Sequence, residues 1–307
     1  MITVLAGGVG AARFLRGLID VIDAATVTAI GNTGDDEEFF GLHVSPDLDT
    51  VVYTLADVID PEQGWGLASD TYVALEHLKR LGEEAWFLLG DKDLATHLRR
   101  TRLLRSGRTL SEATADIAGA FGVACHILPM SNDAVRTIVT TDDGELSFQE
   151  YFVRRRQQDE VRALRFDGVE SAQPAPGVLE AIAQAERVII APSNPLVSIG
   201  PILAVPGVRE ALRETKAPVI AVSPIVGGRA LKGPADRMLT SLGHESSAAG
   251  VARLYAGFLD ALVLDREDEA LAPEVEALAV RAVVADTIMR DAASQRSLAE
   301  ATLRALP

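Results

Sequence analysis

Short runs of β-branched and other apolar residues alternate with longer amphipathic segments along most of the 307-residue chain. Such runs predict strands, and the segments between them are long enough to be helices, for example Ala11–Val21. Parallel neighbours need crossover connections of this length. The pattern therefore predicts an α/β fold with a Rossmann-like, mostly parallel sheet. The predicted strands are Ile2–Leu5, Ala25–Ile30, Trp86–Leu89, Ala124–Leu128, Arg187–Ala191, Pro218–Val222, Leu262–Leu264 and Arg281–Val284.

Two stretches interrupt this alternation. Residues 51–120 are mainly helical in pattern, and Thr109-Leu-Ser-Glu112 fits a capping box that begins one helix. Residues 136–149 predict a β-hairpin with its turn at Asp142-Asp143-Gly144. We therefore predict an α/β core formed by residues 1–50 and 121–307, with residues 51–120 as a helical insertion packed on it.

Charge and cysteine content narrow the function classes. The chain has 29 Lys and Arg against 44 Asp and Glu, a net charge of −15. Such acidity argues against binding to nucleic acid or to an anionic membrane, which both require basic surface. A single cysteine, Cys125, excludes an internal disulfide. With no signal-peptide pattern at the N-terminus and no apolar run near the ~20 residues of a membrane span, we expect a cytoplasmic protein.

The segment Gly7-Gly8-Val9-Gly10-Ala11-Ala12-Arg13 directly follows the first predicted strand and begins a helix. Gly8 and Gly10 allow backbone N–H groups to approach an anion closely, and the helix dipole favours negative charge there. The dinucleotide fingerprint fails at Arg13, and Asn32 follows the second strand where an acidic residue would bind ribose. We predict phosphate or nucleotide contact by Gly8, Gly10, Arg13 and Asn32, although a tight packing turn would also need these glycines. An NAD-dependent dehydrogenase is disfavoured.

Acidic residues are concentrated at Asp35–Glu38 and in Asp47-Leu48-Asp49. The pair Asp47 and Asp49, just before a helical pattern, can present two carboxylates to Mg²⁺, which binds one or two carboxylates together with substrate phosphate oxygens. Helix N-capping would explain one of the two, and Asp35–Glu38 also fits a solvated loop. We predict that Asp47 and Asp49 are metal ligands.

Charged residues follow Gly90 where parallel-sheet enzymes place their sites. Lys92 could neutralise a phosphate, and Asp91 or Asp93 could orient a ligand. His97 lies four residues after Asp93, on the same helical face. Alternatively, Asp93 is an N-cap and His97 is a half-buried helix residue.

Further polar residues follow later strands. Ser131 lies after the fourth strand, and the proline-rich loop 192–201 carries Ser193, Asn194 and Ser198. A stiff loop loses little entropy on binding, which favours ligand recognition. The segment 223–237 gathers glycines, including Gly227 and Gly228, with cations, and we predict anion binding there.

Together these loops resemble the CofD family of coenzyme F420 biosynthesis, from Thr3 to about Asp265. The matching blocks are Gly7–Arg13, Ser45–Thr50, Gly90–His97, Leu128–Asp133, Pro192–Pro201 and Ser223–Gly227. One position departs from the family pattern. A Gly-Lys pair is expected after Gly233-Pro234-Ala235, but this chain has Asp236-Arg237 there.

The resemblance implies a transferase of a substituted phosphate group. Its donor is a guanosine-diphospho-linked three-carbon acid, its acceptor is the ribityl hydroxyl of the deazaflavin Fo, and GMP is released. It further implies a homodimer. The residue pattern fits this chemistry, since Mg²⁺ on Asp47 and Asp49, with Lys92 nearby, could neutralise the diphosphate, and we predict catalytic roles for these three residues. Asp49→Asn should then abolish transfer without unfolding. The Gly-Val-Gly-Ala-Ala-Arg-Phe opening and Gly64-Trp-Gly66 resemble the bacterial members of the family, which implies enolpyruvyl rather than lactyl as the transferred group. The alternative is a YvcK-like nucleotide-sugar-binding regulator without turnover, which has little use for clustered carboxylates.

Overall fold

A computed structural model describes residues 1–306. Its strands are β1 (Ile2–Ala6), β2 (Val27–Gly31), β3 (Glu37–Phe39), β4 (Leu42–Val44), β5 (His126–Pro129), β6 (Arg136–Thr141), β7 (Gly144–Ser147), β8 (Ala163–Asp167), β9 (Arg187–Ile190), β10 (Val219–Val222), β11 (Ile225–Val226), β12 (Arg229–Ala230), β13 (Ala261–Asp265) and β14 (Arg281–Ala285).

The helices are α1 (Gly8–Ile19), α2 (Pro46–Leu55), α3 (Val73–Arg80), α4 (Asp91–Arg105), α5 (Leu110–Ala120), α6 (Val178–Ala183), α7 (Ile199–Ala204), α8 (Val208–Glu214), α9 (Ala235–Ser241), α10 (Ala248–Leu254), α11 (Ala272–Glu276) and α12 (Ala292–Leu303). Short 3₁₀ segments lie at Ala24–Thr26, Val169–Ser171 and Arg266–Leu271, and Glu150–Arg154 forms a short π-helical segment.

Seven strands form one central sheet in the order β14-β13-β10-β9-β1-β2-β5, and every neighbouring pair is parallel. The predicted α/β class is therefore confirmed. The chain runs from β1 outwards through β2 and β5, then returns to the other side of β1 with β9. Strand order thus reverses between β1 and β9, and such a switch point opens a crevice at the carboxyl ends of the strands.

Both faces of the sheet are buried, as a parallel sheet requires. Alternate residues of β1 divide between two hydrophobic clusters: Leu5 packs on one face with Ile30, and Val4 packs on the other with Ala29. Four helices, α2 to α5, lie between β2 and β5 in the chain. The predicted capping box at Thr109 and Glu112 is present at the start of α5.

The predicted hairpin is confirmed as β6 and β7, to which β8 adds a third antiparallel strand. The predicted strand Trp86–Leu89 is wrong, because this segment is irregular. Its aromatic rings instead surround Phe39, with Phe87 stacked at 4.1 Å and Trp86 edge-on at 5.2 Å between ring centroids. Short apolar runs do not distinguish a strand from a loop that buries its side chains.

None of the helices in residues 1–306 combines the length and apolar character needed to cross a bilayer.

Candidate active site

The crevice at the switch point is lined by the glycine-rich turn after β1 and the proline-rich loop after β9. A side chain at Gly10 would collide with the carbonyl oxygen of Pro192, and a Cβ on Gly7 would lie 2.6 Å from the Cβ of Ser198. Gly8 has φ +69°, a left-handed conformation that glycine adopts without steric cost. These glycines therefore permit contact between two loops that are distant in sequence.

Asp47, in the first turn of α2, points into this crevice. Its carboxylate accepts a hydrogen bond from the backbone N–H of Gly8 and another, of 2.9 Å, from Nδ2 of Asn32. The Oδ1 of Asn32 accepts from the N–H of Gly34 at 2.8 Å, which fixes the amide orientation. The structure thus brings together the predicted residues Gly8, Asn32 and Asp47, with Ser198 beside them.

Two further carboxylates, Asp35 and Asp36, crowd Asp47. Burial raises the pKa of Asp47 to about 7, and the charge of Asp36 adds to the rise. Burial, with Asp47 and Asp36 nearby, raises the pKa of Asp35 well above its ordinary range. The Oδ2 of Asp36 accepts from Ser45 Oγ at 2.8 Å and contacts His43 Nε2 at 3.0 Å. Asp35 and Asp36 are therefore buried parts of the site, whereas Glu38 of the same stretch is exposed.

Several buried polar atoms around this crevice have no hydrogen-bond partner. Such atoms normally have partners, so each requires an explanation. They include one oxygen each of Asp35 and Asp36, and the hydroxyls of Thr33, Thr137 and Ser193. Except for Thr137 in β6, they follow β2 and β9, the two strands that flank β1, so a polar or charged ligand in the crevice would satisfy them.

Asp49 faces away from this crevice. Its carboxylate forms a two-armed ion pair with the fully buried Arg100 of α4, with Nη1 to Oδ2 at 3.1 Å, and lies 3.7 Å from Nδ1 of His97. Residues two apart in an α-helix project about 200° apart around its axis. The structure therefore separates Asp47 and Asp49, which the sequence analysis had placed on one cation.

The predicted residues Asp93 and His97 belong to the same buried network as Asp49. Asp93 accepts a hydrogen bond of 2.7 Å from the hydroxyl of Tyr53 and lies 3.3 Å from Nε2 of His97. Although burial opposes it, these partners hold the pKa of Asp93 below its ordinary value. Asp93 is not the N-cap of α4, since that position is Gly90. The network joins α4 to α2.

Asp91 and Lys92 hold neighbouring backbone. Asp91 accepts from the N–H groups of Val73 and Ala74 at 3.0 and 2.9 Å, so it caps α3. Hydrogen bonds from Thr71 and these amides lower the pKa of Asp91. Lys92 Nζ donates to the carbonyls of Ala68 and Ser69, both at 2.8 Å. In this structure neither side chain contacts Asp47.

The remaining predicted residues mainly shape loops. Ser131 donates to the carbonyl of Gln173 at 2.6 Å, and Asn194 Oδ1 accepts from the backbone N–H of Leu196.

In the segment 223–237, the backbone N–H of Gly227 donates to Asp268 at 3.1 Å, and the carbonyl of Gly228 accepts from Ser246 at 2.9 Å. Gly227 and Gly228 have φ +56° and +77°, as the tight β11–β12 turn requires. Arg237, in the departing Asp236-Arg237 pair, contacts the carbonyl of Gln158 at 3.5 Å.

Two cations lie near the glycine-rich turn. The predicted residue Arg13 donates to the carbonyl of Met289 at 3.2 Å, and Lys232 donates to that of Gln63 at 2.8 Å. Lys232 belongs to the basic segment noted in the sequence but was not predicted individually. Arg100 was missed as well, because an arginine within a charged helical segment is usually an exposed residue.

The family model of "2-phospho-L-lactate transferase CofD" matches residues 2–302. The chain belongs to the CofD family. It is 47% identical over 308 residues to the phosphoenolpyruvate transferase of Streptomyces griseus subsp. griseus, with 98% of this chain and 97% of that protein covered. It is 40% identical over 302 residues to the 2-phospho-L-lactate transferase of Methanosarcina mazei, with 98% and 99% covered. The chain is thus a CofD-family transferase.

Among solved structures, a member of the UPF0052 family from Bacillus halodurans has a TM-score of 0.67 with this CofD-family chain. The match covers 98% of both chains at 16% sequence identity. At this identity the likeness concerns the fold alone, which agrees with the parallel sheet described above.

Proposed function

We propose that this protein transfers a phosphoenolpyruvyl group from a guanosine-diphospho donor to the terminal ribityl hydroxyl of the deazaflavin Fo in coenzyme F420 biosynthesis. The 2-phospholactyl group is the second candidate. The observation that carries the proposal is the crevice in which the buried carboxylates of Asp35 and Asp47, which form no ion pair with any described residue, adjoin a glycine-rich turn. Enolpyruvyl is preferred because the phosphoenolpyruvate transferases of three Streptomyces species are 46–47% identical to this chain, against 40% for the Methanosarcina mazei 2-phospho-L-lactate transferase.

The proposed reaction forms one P–O bond and breaks another. The hydroxyl oxygen of Fo attacks the phosphorus that carries the three-carbon acid, and the bond from this phosphorus to the bridging oxygen breaks. GMP leaves with that oxygen, and the hydroxyl loses its proton. Such a transfer depends on alignment and charge neutralisation and needs no covalent nucleophile. A carboxylate of the crevice that does not bind the cation would accept this proton.

The donor set suits Mg²⁺. Asp35 and Asp36 each have an unpartnered buried oxygen, and the pKa values of Asp35 and Asp47 are raised, so a cation would relieve the repulsion among these carboxylates. Within residues 1–306 no group of three or more His, Cys, Asp or Glu side chains is arranged to hold a metal alone. Mg²⁺ commonly binds one or two carboxylates together with substrate phosphates. We therefore assign Asp47 and Asp35 as its ligands, in place of Asp49; bound there, Mg²⁺ would neutralise diphosphate charge.

The experiment is to incubate the protein with Fo, guanosine-diphospho-enolpyruvate and Mg²⁺ and to measure GMP by chromatography and the phosphodiester by mass spectrometry. We expect Asp47→Asn to lower turnover at least about 100-fold, the lower range for loss of a charge-stabilising group. Glu38→Gln, at an exposed position in the same acidic stretch, is the matched control and should retain activity. Donor binding without GMP release by the wild-type protein would contradict the transferase and favour the regulatory alternative.

The family resemblance also implies a homodimer in the cytoplasm. Analytical ultracentrifugation of the purified chain tests the dimer, and a single species at the monomer mass of 32.6 kDa would contradict it.

A further inference from the structure

Arg13 and Lys232 bring two positive charges to one side of the glycine-rich turn. Arg13 follows Val9 by four residues in α1, so the two side chains share a face. A Cβ on Gly64 would lie 3.2 Å from Val9 Cγ1 and 2.9 Å from Lys232 Nζ. Gly64 thus brings Lys232 against the face of α1 that carries Arg13.

Neither cation has an acidic partner. Within residues 1–306 Arg13 and Lys232 form no ion pair, although the chain has 44 acidic residues and pairs many of its other arginines. Their polar contacts are to backbone carbonyls. Partial burial, followed by the charge of Arg13, lowers the pKa of Lys232. Two adjacent like charges without a counter-charge are unfavourable until an anion binds.

The proposed donor offers two kinds of anionic group, a diphosphate and the carboxylate of the three-carbon acid. The side of the crevice that carries Asp35 and Asp47 suits the diphosphate, because Mg²⁺ held by these residues would neutralise its charge. The carboxylate is then the anionic group that still needs a counter-charge. Resting on the proposed function, we infer that Arg13 and Lys232 bind the carboxylate of the three-carbon acid and select acids over neutral alcohols at this position.

This arrangement divides the crevice by charge. Asp47, on one side of Gly8, attracts the cation and its diphosphate, and the Arg13–Lys232 pair holds the group attached to the reacting phosphorus. A phosphorus held from both sides has less freedom to rotate away from the incoming hydroxyl. Lys232 is therefore a specificity-determining residue in this inference.

The test measures binding without the acceptor Fo, so no transfer takes place. Two ligands are titrated by calorimetry with Mg²⁺: guanosine-diphospho-lactate, and guanosine diphosphate esterified to 2-propanol, in which a methyl group replaces the carboxylate. The wild-type protein should bind the lactate compound about 10-fold to 100-fold more tightly, as expected for hydrogen bonds between charged groups. Lys232→Met should abolish this preference, and Lys232→Arg should retain most of it. Lys216→Met, at an exposed and remote lysine, is the control and should change nothing.

The other outcomes distinguish an incorrect carboxylate assignment from an incorrect proposed function. If Lys232→Met weakens both ligands equally, the cation binds the diphosphate and the carboxylate assignment is wrong. If it weakens neither, Lys232 serves only to hold the loop at Gln63, and the inference is again wrong. Wild-type protein that binds GDP but does not prefer the lactate compound contradicts this inference alone. Folded wild-type protein that fails to bind GDP in the presence of Mg²⁺ contradicts the proposed function itself.

Discussion

The guanidinium of Arg100 is fully buried and is paired on two arms with the carboxylate of Asp49. Because Asp49 lies two residues after Asp47 in α2, this pair anchors the helix that presents Asp47 to the crevice. Asp49→Asn would leave Arg100 without its counter-charge inside the protein. Lost activity in that variant would therefore not identify Asp49 as a catalytic residue.

Breaking this pair should destabilise the fold strongly. Arg100→Met leaves a buried carboxylate without a partner, a change that costs about 3–5 kcal/mol. Arg99→Met is the matched control, since Arg99 makes an exposed pair with Asp116 worth about 0–1 kcal/mol. The free energy of unfolding from urea titrations of both variants tests this, and equal losses would contradict it.

At alkaline pH, replacing Asp47 by asparagine should make the metal-free protein more stable. The folded-state pKa of about 7 lies above the ordinary 3.8, so the folded state binds this proton more tightly than the unfolded state. The stability that the protonated Asp47 carboxyl contributes to the folded state is therefore fully present below about pH 4 and is lost as the pH rises through about 7. At pH 8 Asp47→Asn should gain on the order of 2 kcal/mol over wild type, with a smaller gain at pH 5. Thermal unfolding at both pH values measures this, and a destabilised variant at pH 8 would contradict it.

With Mg²⁺ and GDP added, the wild-type protein should become more stable than Asp47→Asn. A ligand that binds only the folded state raises stability by about 2.7 kcal/mol at 100 times its Kd. The wild-type protein should gain such stability, and Asp47→Asn should gain much less because it lacks one assigned ligand. Protons compete with the cation for Asp47, so the gain should grow between pH 6 and pH 8. The melting temperature with and without Mg²⁺ is the measurement, and equal gains in both proteins would remove Asp47 from the metal site.

A methyl group at Gly10 should disrupt the crevice. Gly10→Ala places a Cβ against the carbonyl oxygen of Pro192, so α1 and the proline-rich loop must separate. Overpacking of this kind costs about 1–3 kcal/mol, and we expect weaker GDP binding as well. Gly119→Ala is the control, because it lies within α5 with open space around it and should stabilise by about 0.5–1 kcal/mol. The prediction is wrong if Gly10→Ala leaves both unfolding and GDP binding unchanged.

The features that the sequence predicted correctly are those that depend on local backbone structure and on the order of strands and helices along the chain. The parallel sheet, the hairpin and the glycine-rich turn follow from local patterns, and Asp47 was selected because it forms part of an acidic pair just before a helical pattern. The sequence analysis placed Asp49 on the same cation as Asp47, whereas the structure pairs Asp49 with Arg100 of α4, a contact that no local pattern reveals. Nothing local marks Arg100 as buried, and the run at Trp86 reads as a strand although it packs in a loop. These errors share one cause, since each depends on contacts between segments distant in sequence.

The position of β1 between β2 and β9 has a consequence for synthesis of the chain. Gly7 and Gly10 leave the ribosome early, but their partners Pro192 and Ser198 follow some 180 residues later. Until β9 pairs with β1, one edge of β1 is exposed and the crevice lacks the proline-rich loop that lines its other side. A truncated or stalled product would therefore lack the crevice proposed to bind the nucleotide, because the crevice forms only when the second half of the chain folds onto the first.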